Sequence, residues 1–247
     1  MHTMSEKTAA PDPSAATASA ELAGQGWHLQ SADTVSRLLG VGDAEWAAYA
    51  DHWDDLVLDT YMKDGGTYRN RRYGHFRLDA DGLTRLAHGP YRQESAVNPL
   101  NGGIDRHFEP LTDGFLANPI TDGVVRMLGE IFSAAEGIGA WDVKLHPFRI
   151  VTSAAQVGKP APQGRHRDGS TFVTSLLVRR NNVEGGESSL YSDDDELLLR
   201  STLSRPGDQL LVDDRRLLHD VTALRAVDPA LPAYRDVLIV DFDRLPA

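Results

Sequence analysis

The chain has 247 residues, room for one large domain whose core needs no disulfide staples. Hydrophobic residues make up 41% of it and charged residues 25%, the balance of an ordinary globular domain rather than a disordered, collagenous or membrane chain. No cysteine occurs, which excludes disulfides, iron–sulfur clusters, thiolate metal sites and cysteine nucleophiles together, and a net charge of −11 is the wrong sign for nucleic acid or an anionic membrane as partner.

Residues 1–25 are rich in Ala, Ser, Thr and Pro, with Leu22 their single large aliphatic side chain. Such a stretch buries too little to repay the entropy of ordering, so a disordered N-terminal arm is expected, followed by one domain over residues 26–247. There is no apolar run of about 18 residues and no greasy N-terminal signal, so a cytoplasmic protein is expected. From Asp43 to Met62 the residues Trp46, Ala50, Trp53, Val57 and Tyr61 recur at helical spacing, with Asp43 placed to cap and Gly65-Gly66 to stop the segment. The spacing predicts an amphipathic helix with a structural aromatic face. One or two strands are expected over residues 68–78. A second helix is predicted over residues 121–135, where Val124, Val125, Leu128, Ile131 and Phe132 line one side and Gly137 closes it. The C-terminal half reads as strands at 143–153, 172–179, 187–191, 208–212, 217–221 and 237–242, separated by Gly, Pro, Asn and Asp clusters. Mainly β structure with flanking helices, as an antiparallel sandwich or barrel, follows.

The chemistry concentrates in Pro162-Gln-Gly-Arg-His166-Arg-Asp168-Gly169. In an extended segment alternate residues share a face, so His166 and Asp168 can meet one ion, and Gly169 lets the backbone turn away from it. The best third ligand is His219, in Arg215-Arg-Leu-Leu-His219-Asp-Val-Thr after the turn-prone Val212-Asp-Asp214. Two imidazoles and a carboxylate make the facial triad of non-haem iron(II) enzymes, which leaves positions open for cosubstrate and oxygen. His-x-Asp alone fits a surface histidine beside a solvated acid better than a ligand pair, and its neighbours in the sequence change that balance. Arg235 follows His219 by 16 residues at the head of the last apolar strand. An arginine aimed into a barrel needs an anion, which a dicarboxylate cosubstrate supplies; the alternative is a rim arginine paired with Asp236 or Asp241.

In this order the motifs resemble the bacterial iron(II)/2-oxoglutarate dioxygenases that hydroxylate free amino acids, typified by the isoleucine 4-hydroxylases. The likeness runs from about Trp46 to Phe242. It is carried by Trp53-Asp-Asp-Leu56, Tyr68-Arg-x-Arg71-Arg72, Tyr91-Arg-Gln93 with Asn98, Gly102-Gly103, Arg106 and Phe108-Glu-Pro110. It continues through His146-Pro-Phe-Arg149-Ile, Pro162-x-Gly-x-His166-x-Asp168-Gly169, Asn181-Asn-Val-x-Gly185-Gly186-Glu187, His219-Asp and Tyr234-Arg235-Asp236. The resemblance implies a double-stranded β-helix, or cupin-like jelly roll. It also implies Fe(II), 2-oxoglutarate and O2 as cofactor and cosubstrates, with Arg235 gripping the distal carboxylate of 2-oxoglutarate and a free L-amino acid or close derivative as substrate; the 21 Arg against four Lys, as a high-GC genome favours, set the expected role in secondary metabolism.

A closed site must pair both the ammonium and the carboxylate of a free amino acid. Arg149 and Arg106 are the candidates for the carboxylate, with Arg69, Arg71 and Arg72 in reserve; Gln93, Asn98 and Glu187 are candidates for the ammonium or a polar side chain. Two other readings compete: a cupin-like small-molecule binding protein with a vestigial metal site, and a zinc hydrolase on the same ligands.

Overall fold

The computed structural model describes residues 13–95 and 102–245. In chain order the elements are α1 (Pro13–Gln25), β1 (Trp27–Gln30), α2 (Ala32–Leu39), α3 (Asp43–Ala50), a 3-10 turn (Asp51–Asp55), β2 (Val57–Leu58), β3 (Arg69–Arg71), β4 (Gly74–Asp79) and β5 (Gly82–Arg85). Then come α4 (Asp113–Ala117), α5 (Pro119–Glu136), β6 (Trp141–Thr152), β7 (Phe172–Asn181), β8 (Val183–Gly185) and β9 (Glu187–Tyr191). The chain closes with β10 (Leu197–Thr202), β11 (Gln209–Asp213), β12 (Leu218–Val221), β13 (Leu224–Ala226) and β14 (Ala233–Arg244).

The strands form a jelly roll, the expected double-stranded β-helix. The major sheet runs β1-β11-β7-β14-β6-β3-β2, with β4 continuing along β6 and pairing with β5. The minor wall is β10-β9-β12 and the hairpin β13-β8. Each long central strand has two faces of different character. On β14, Leu238, Val240 and Phe242 point to the helices, while Arg235, Val237, Ile239 and Asp241 line a cavity between the sheets. The period of two in a strand sorts one sequence into core and site.

α5 covers the helix-side face. Asn118 caps it by accepting from the Ile120 N–H, Pro119 opens it, and Gly137 ends it at φ 71, a left-handed conformation that suits glycine. Its Phe132 stacks on Phe172 at 4.3 Å and meets Phe242 edge-on at 4.9 Å. No helix among the described residues is long and apolar enough to cross a membrane.

Two expectations need correction. The N-terminal arm is not loose from Pro13 onward: α1 lies on α5 with Ala15, Ala18 and Leu22 buried, and the Ser19 hydroxyl donates to the Ile131 carbonyl at 3.0 Å. Small alanines let the two helices approach closely, and their helix propensity offsets the shortage of large side chains. The rest of the predicted arm, residues 1–12, lies outside the described residues. The helix expected over 43–62 stops at Ala50, because Trp53 turns into the sheet and its indole N–H reaches the carbonyls of Phe148 and Val237, at 3.0 and 3.2 Å. Gly42 rather than Asp43 is the N-cap, its N–H held by the Glu45 carboxylate at 2.9 Å.

Candidate metal centre and cosubstrate pocket

His166 and His219 meet through the backbone first. The His166 N–H donates to the His219 carbonyl at 3.0 Å and the His219 N–H returns to the His166 carbonyl at 2.9 Å, so the segment around residue 166 adds to the open side of β12. This pairing sets the two rings 4.2 Å apart, centroid to centroid. The Nδ1–H of His166 donates to the Gly164 carbonyl at 2.7 Å, which leaves Nε2 as the free lone pair. That Nε2 lies 3.6 Å from one Asp168 oxygen, and His219 Nε2 lies 3.4 Å from the other. Among the described residues, these three form a group whose donor atoms all lie within 4.8 Å of one another.

Donors bound at about 2.0–2.2 Å and at right angles sit roughly 3 Å apart, so only small movements separate this group from a coordination face. Two imidazoles and one carboxylate on one side fit iron(II). Burial by itself disfavours a charged Asp168, but the two imidazoles beside it hold its carboxyl well below the usual range. The ligand is therefore anionic before any ion arrives. Gly169, at φ 84, carries the chain away behind it.

Sequence reasoning missed Asp214. Its buried carboxylate accepts the backbone N–H groups of Asp168 at 3.0 Å, Gly169 at 2.7 Å and Ser170 at 3.1 Å, and lies 3.6 Å from His219 Nδ1. It shapes the turn that presents Asp168 and stands behind His219 as an orienting anion. In an acid-rich chain nothing marked it out beyond its place in a turn.

Arg235 is 2% exposed, and its Nε and Nη2 have no hydrogen-bond partner. Burial first, then the like charge of Arg180, pushes its pKa down to about 9. Neither acid proposed as a rim partner reaches it. Asp236 faces the other side and binds Arg149 and Arg179, while Asp241 binds His146. A buried guanidinium with two free donors in a cavity shared with the triad is built for an anion.

The remaining candidates divide. Arg106 and Gln93 line the cavity: Arg106 Nη2 donates to the Gln93 amide oxygen at 2.6 Å, and the Gln93 amide N–H donates to the Asp168 carbonyl at 3.0 Å. Arg149 does not. Alternation along β6 sends His146, Phe148 and Ile150 into the cavity and Arg149 to the opposite face, bidentate on Asp236 at 2.7 and 2.9 Å and 2.8 Å from Asp54. Glu187 is likewise turned away, 3.7 Å from Arg200, and its neighbour Ser188 lines the cavity instead. Asn98 lies outside the described residues. Unforeseen on the cavity wall are His146, Asp241 and Tyr91; of the reserve arginines, Arg69 and Arg71 line it and Arg72 does not, donating instead to the Asp55 and Pro110 carbonyls.

A family model for 2OG-Fe dioxygenases matches residues 50–241. The chain is 26% identical over 197 residues to 3(1)-hydroxy-L-isoleucine 4-dioxygenase of Pantoea ananatis (strain AJ13355), covering 78% of each chain. It is 27% identical over 194 residues to L-isoleucine-4-hydroxylase of Bacillus thuringiensis, covering 75% of this chain and 80% of that one. Among solved structures, a bsmA homolog from Methylobium petroleophilum PM1 superposes with a TM-score of 0.85 at 34% identity, over 94% of this chain and 96% of that one.

Proposed function

Because the chain belongs to the 2OG-Fe dioxygenase family, an enzyme family that uses Fe(II), 2-oxoglutarate and O2, we propose that it hydroxylates a free L-amino acid at an unactivated carbon. His166 Nε2, Asp168 and His219 Nε2 hold the iron, and Arg235 anchors the distal carboxylate of 2-oxoglutarate. Iron bound there with 2-oxoglutarate and O2 would supply the oxidising power for hydroxylation, with succinate and carbon dioxide as coproducts. A binding protein with a vestigial site, and a zinc hydrolase, both give way to the family assignment.

The protein's own residues bind, orient and exclude water. Ile150, opposite Arg235 on β6, and Val237, two residues further along β14, give the cavity an apolar wall beside the guanidinium, which strengthens a charge-assisted pair between Arg235 and a carboxylate by keeping water out. Gln93 ties Arg106 to the backbone of Asp168, so a carboxylate on Arg106 is held at a set distance from the metal ligands. The observation that carries the amino-acid reading is this second guanidinium. Its Nε is buried and unpartnered on the cavity wall, separate from the arginine needed for the cosubstrate. The two isoleucine-oxidising relatives support it.

The test is a screen of the twenty proteinogenic L-amino acids, ornithine and citrulline for coupled succinate release and a mass gain of one oxygen. At least one amino acid is expected to give both. Succinate release that no amino acid stimulates, under conditions where another small acid does, refutes the reading.

A further inference from the structure

Asp241 stands six residues beyond Arg235 on the same face of β14. At about 3.3 Å per residue, the two lie roughly 20 Å apart along the strand. If the cosubstrate is held at the Arg235 end, Asp241 belongs to the other guest. It is 2% exposed, its Oδ2 accepts the His146 Nε2–H at 3.1 Å, and its Oδ1 is buried without a hydrogen-bond partner.

The surroundings hold this carboxylate in place without neutralising it. Arg71 Nη2 donates to His146 Nδ1 at 2.5 Å, so the ring carries its proton on Nε2 and aims it at Asp241. Burial first, then the charge of Arg71, keeps the His146 pKa well below its usual value, so it serves as a neutral donor. The ring is stacked on Tyr73, with centroids 5.2 Å apart, and Arg71 lies 3.7 Å over the ring of Phe108. Lys144, the nearby ammonium, is committed to Asp142 at 2.8 Å and Asp243 at 2.7 Å. Tyr91 is near both groups: its ring is 4.8 Å from that of His146, the neutral partner of Asp241, and 4.7 Å from the Arg106 guanidinium, and the charges of Asp241 and Arg106 both act on its phenol.

We propose that Asp241 receives the α-ammonium group of the substrate, with His146 as its positioning residue, while Arg106 takes the α-carboxylate across the face of Tyr91. This assignment rests on the amino-acid reading above and sharpens it: the substrate must carry a free amine. Burial and the charge of Asp168 push the Asp241 carboxyl well above its usual range, the state of a carboxylate that lacks a cation, and a bound ammonium removes that penalty.

The experiment compares Asp241→Asn with the wild-type holoenzyme on the twenty L-amino acids and their deaminated carboxylic acids, following succinate release. The wild type is expected to turn over the preferred amino acid and to discriminate against its deaminated analogue. Asp241→Asn should raise KM for the amino acid about ten- to hundred-fold, the loss of one charge-assisted bond. KM for 2-oxoglutarate should stay within two-fold, and the amino-to-deaminated ratio should collapse. His146→Gln should shift that ratio in the same direction, which a merely structural role does not. Wild-type discrimination retained in Asp241→Asn, with an amino acid turned over, overturns the assignment and leaves the amino-acid reading standing. Turnover of no amino acid overturns both. If Asp241→Asn does not fold, the wild type decides: equal kcat/KM for the amino acid and its deaminated analogue leaves Asp241 no ammonium to receive.

Discussion

Replacing Arg235 by leucine is expected to move two properties in opposite directions. In the protein without 2-oxoglutarate the guanidinium is buried beside Arg180 with no ion-pair partner among the described residues, and its pKa is pushed from its ordinary value down to about 9. At about 1.4 kcal/mol per unit, that depression corresponds to a few kcal/mol charged against the folded state at neutral pH. Leucine removes the charge and leaves a small void costing about 1–2 kcal/mol, so a net gain of about 2 kcal/mol is expected. For a chain of this length that raises Tm by about 4–8 °C. The same change removes both donors meant for the distal carboxylate of 2-oxoglutarate, a loss of about 3–4 kcal/mol, or roughly a hundred- to thousand-fold in affinity. Because the folded-state pKa of this basic group lies below its unfolded value, the penalty is fully present below about pH 9 and fades as pH rises above it. The Tm advantage of Arg235→Leu should therefore shrink in alkaline buffer, where wild-type affinity for 2-oxoglutarate also falls. Scanning calorimetry of the ligand-free proteins and anaerobic titration of the Fe(II) forms with 2-oxoglutarate measure both. A lowered Tm together with unchanged 2-oxoglutarate affinity would refute the reasoning and move the anion site elsewhere.

Alanine at His166, Asp168 or His219 should abolish turnover and cut iron content while Tm stays within a few degrees, since the group lies at the cavity and not in the aromatic core; wild-type iron content in any one of them removes that residue from the ligand set. Asp214→Asn puts an amide N–H₂ against a backbone N–H, and iron affinity measured by chelator competition should fall about ten- to hundred-fold with a lower Tm; unchanged iron affinity refutes the orienting role. Leu22→Ala should cost about 2–4 kcal/mol in urea unfolding, because α1 is part of the core; a change under about 0.5 kcal/mol would return that segment to the status of an arm.

The strands that carry the site were legible because their apolar runs are long and bounded by turn residues. β9 (Glu187–Tyr191) begins and ends where expected, and β6, β7, β11, β12 and β14 differ by a few residues at their ends. The short strands β1, β2, β5, β8, β10 and β13 were not, since pairing rather than composition makes them strands. β10, for example, has a largely exposed face and follows an acidic turn. The triad could be read because two of its members are two residues apart and the third sits in a strand-like run. Asp214, Asp241 and His146 could not, because their roles come from cross-strand neighbours. The choice of Arg149 over His146 shows the limit closely: both lie in one strand, and the face each takes is settled by Asp236 and Arg179 on a different pair of strands.

β14 also works as a ruler. Arg235 and Asp241 are an even number of residues apart, so one residue inserted or deleted between them would rotate one end of the strand by half a turn and send its charge among Leu128, Phe132 and Trp141. Even a two-residue change, which restores the face, alters the span by about 7 Å, more than the length of a small guest's backbone. Divergence within this architecture is thus confined to exchanging side chains at Val237, Ile239 and Asp241 and to varying the loops, such as the one entering β14 at Ala233, while the count of residues along the strand stays fixed.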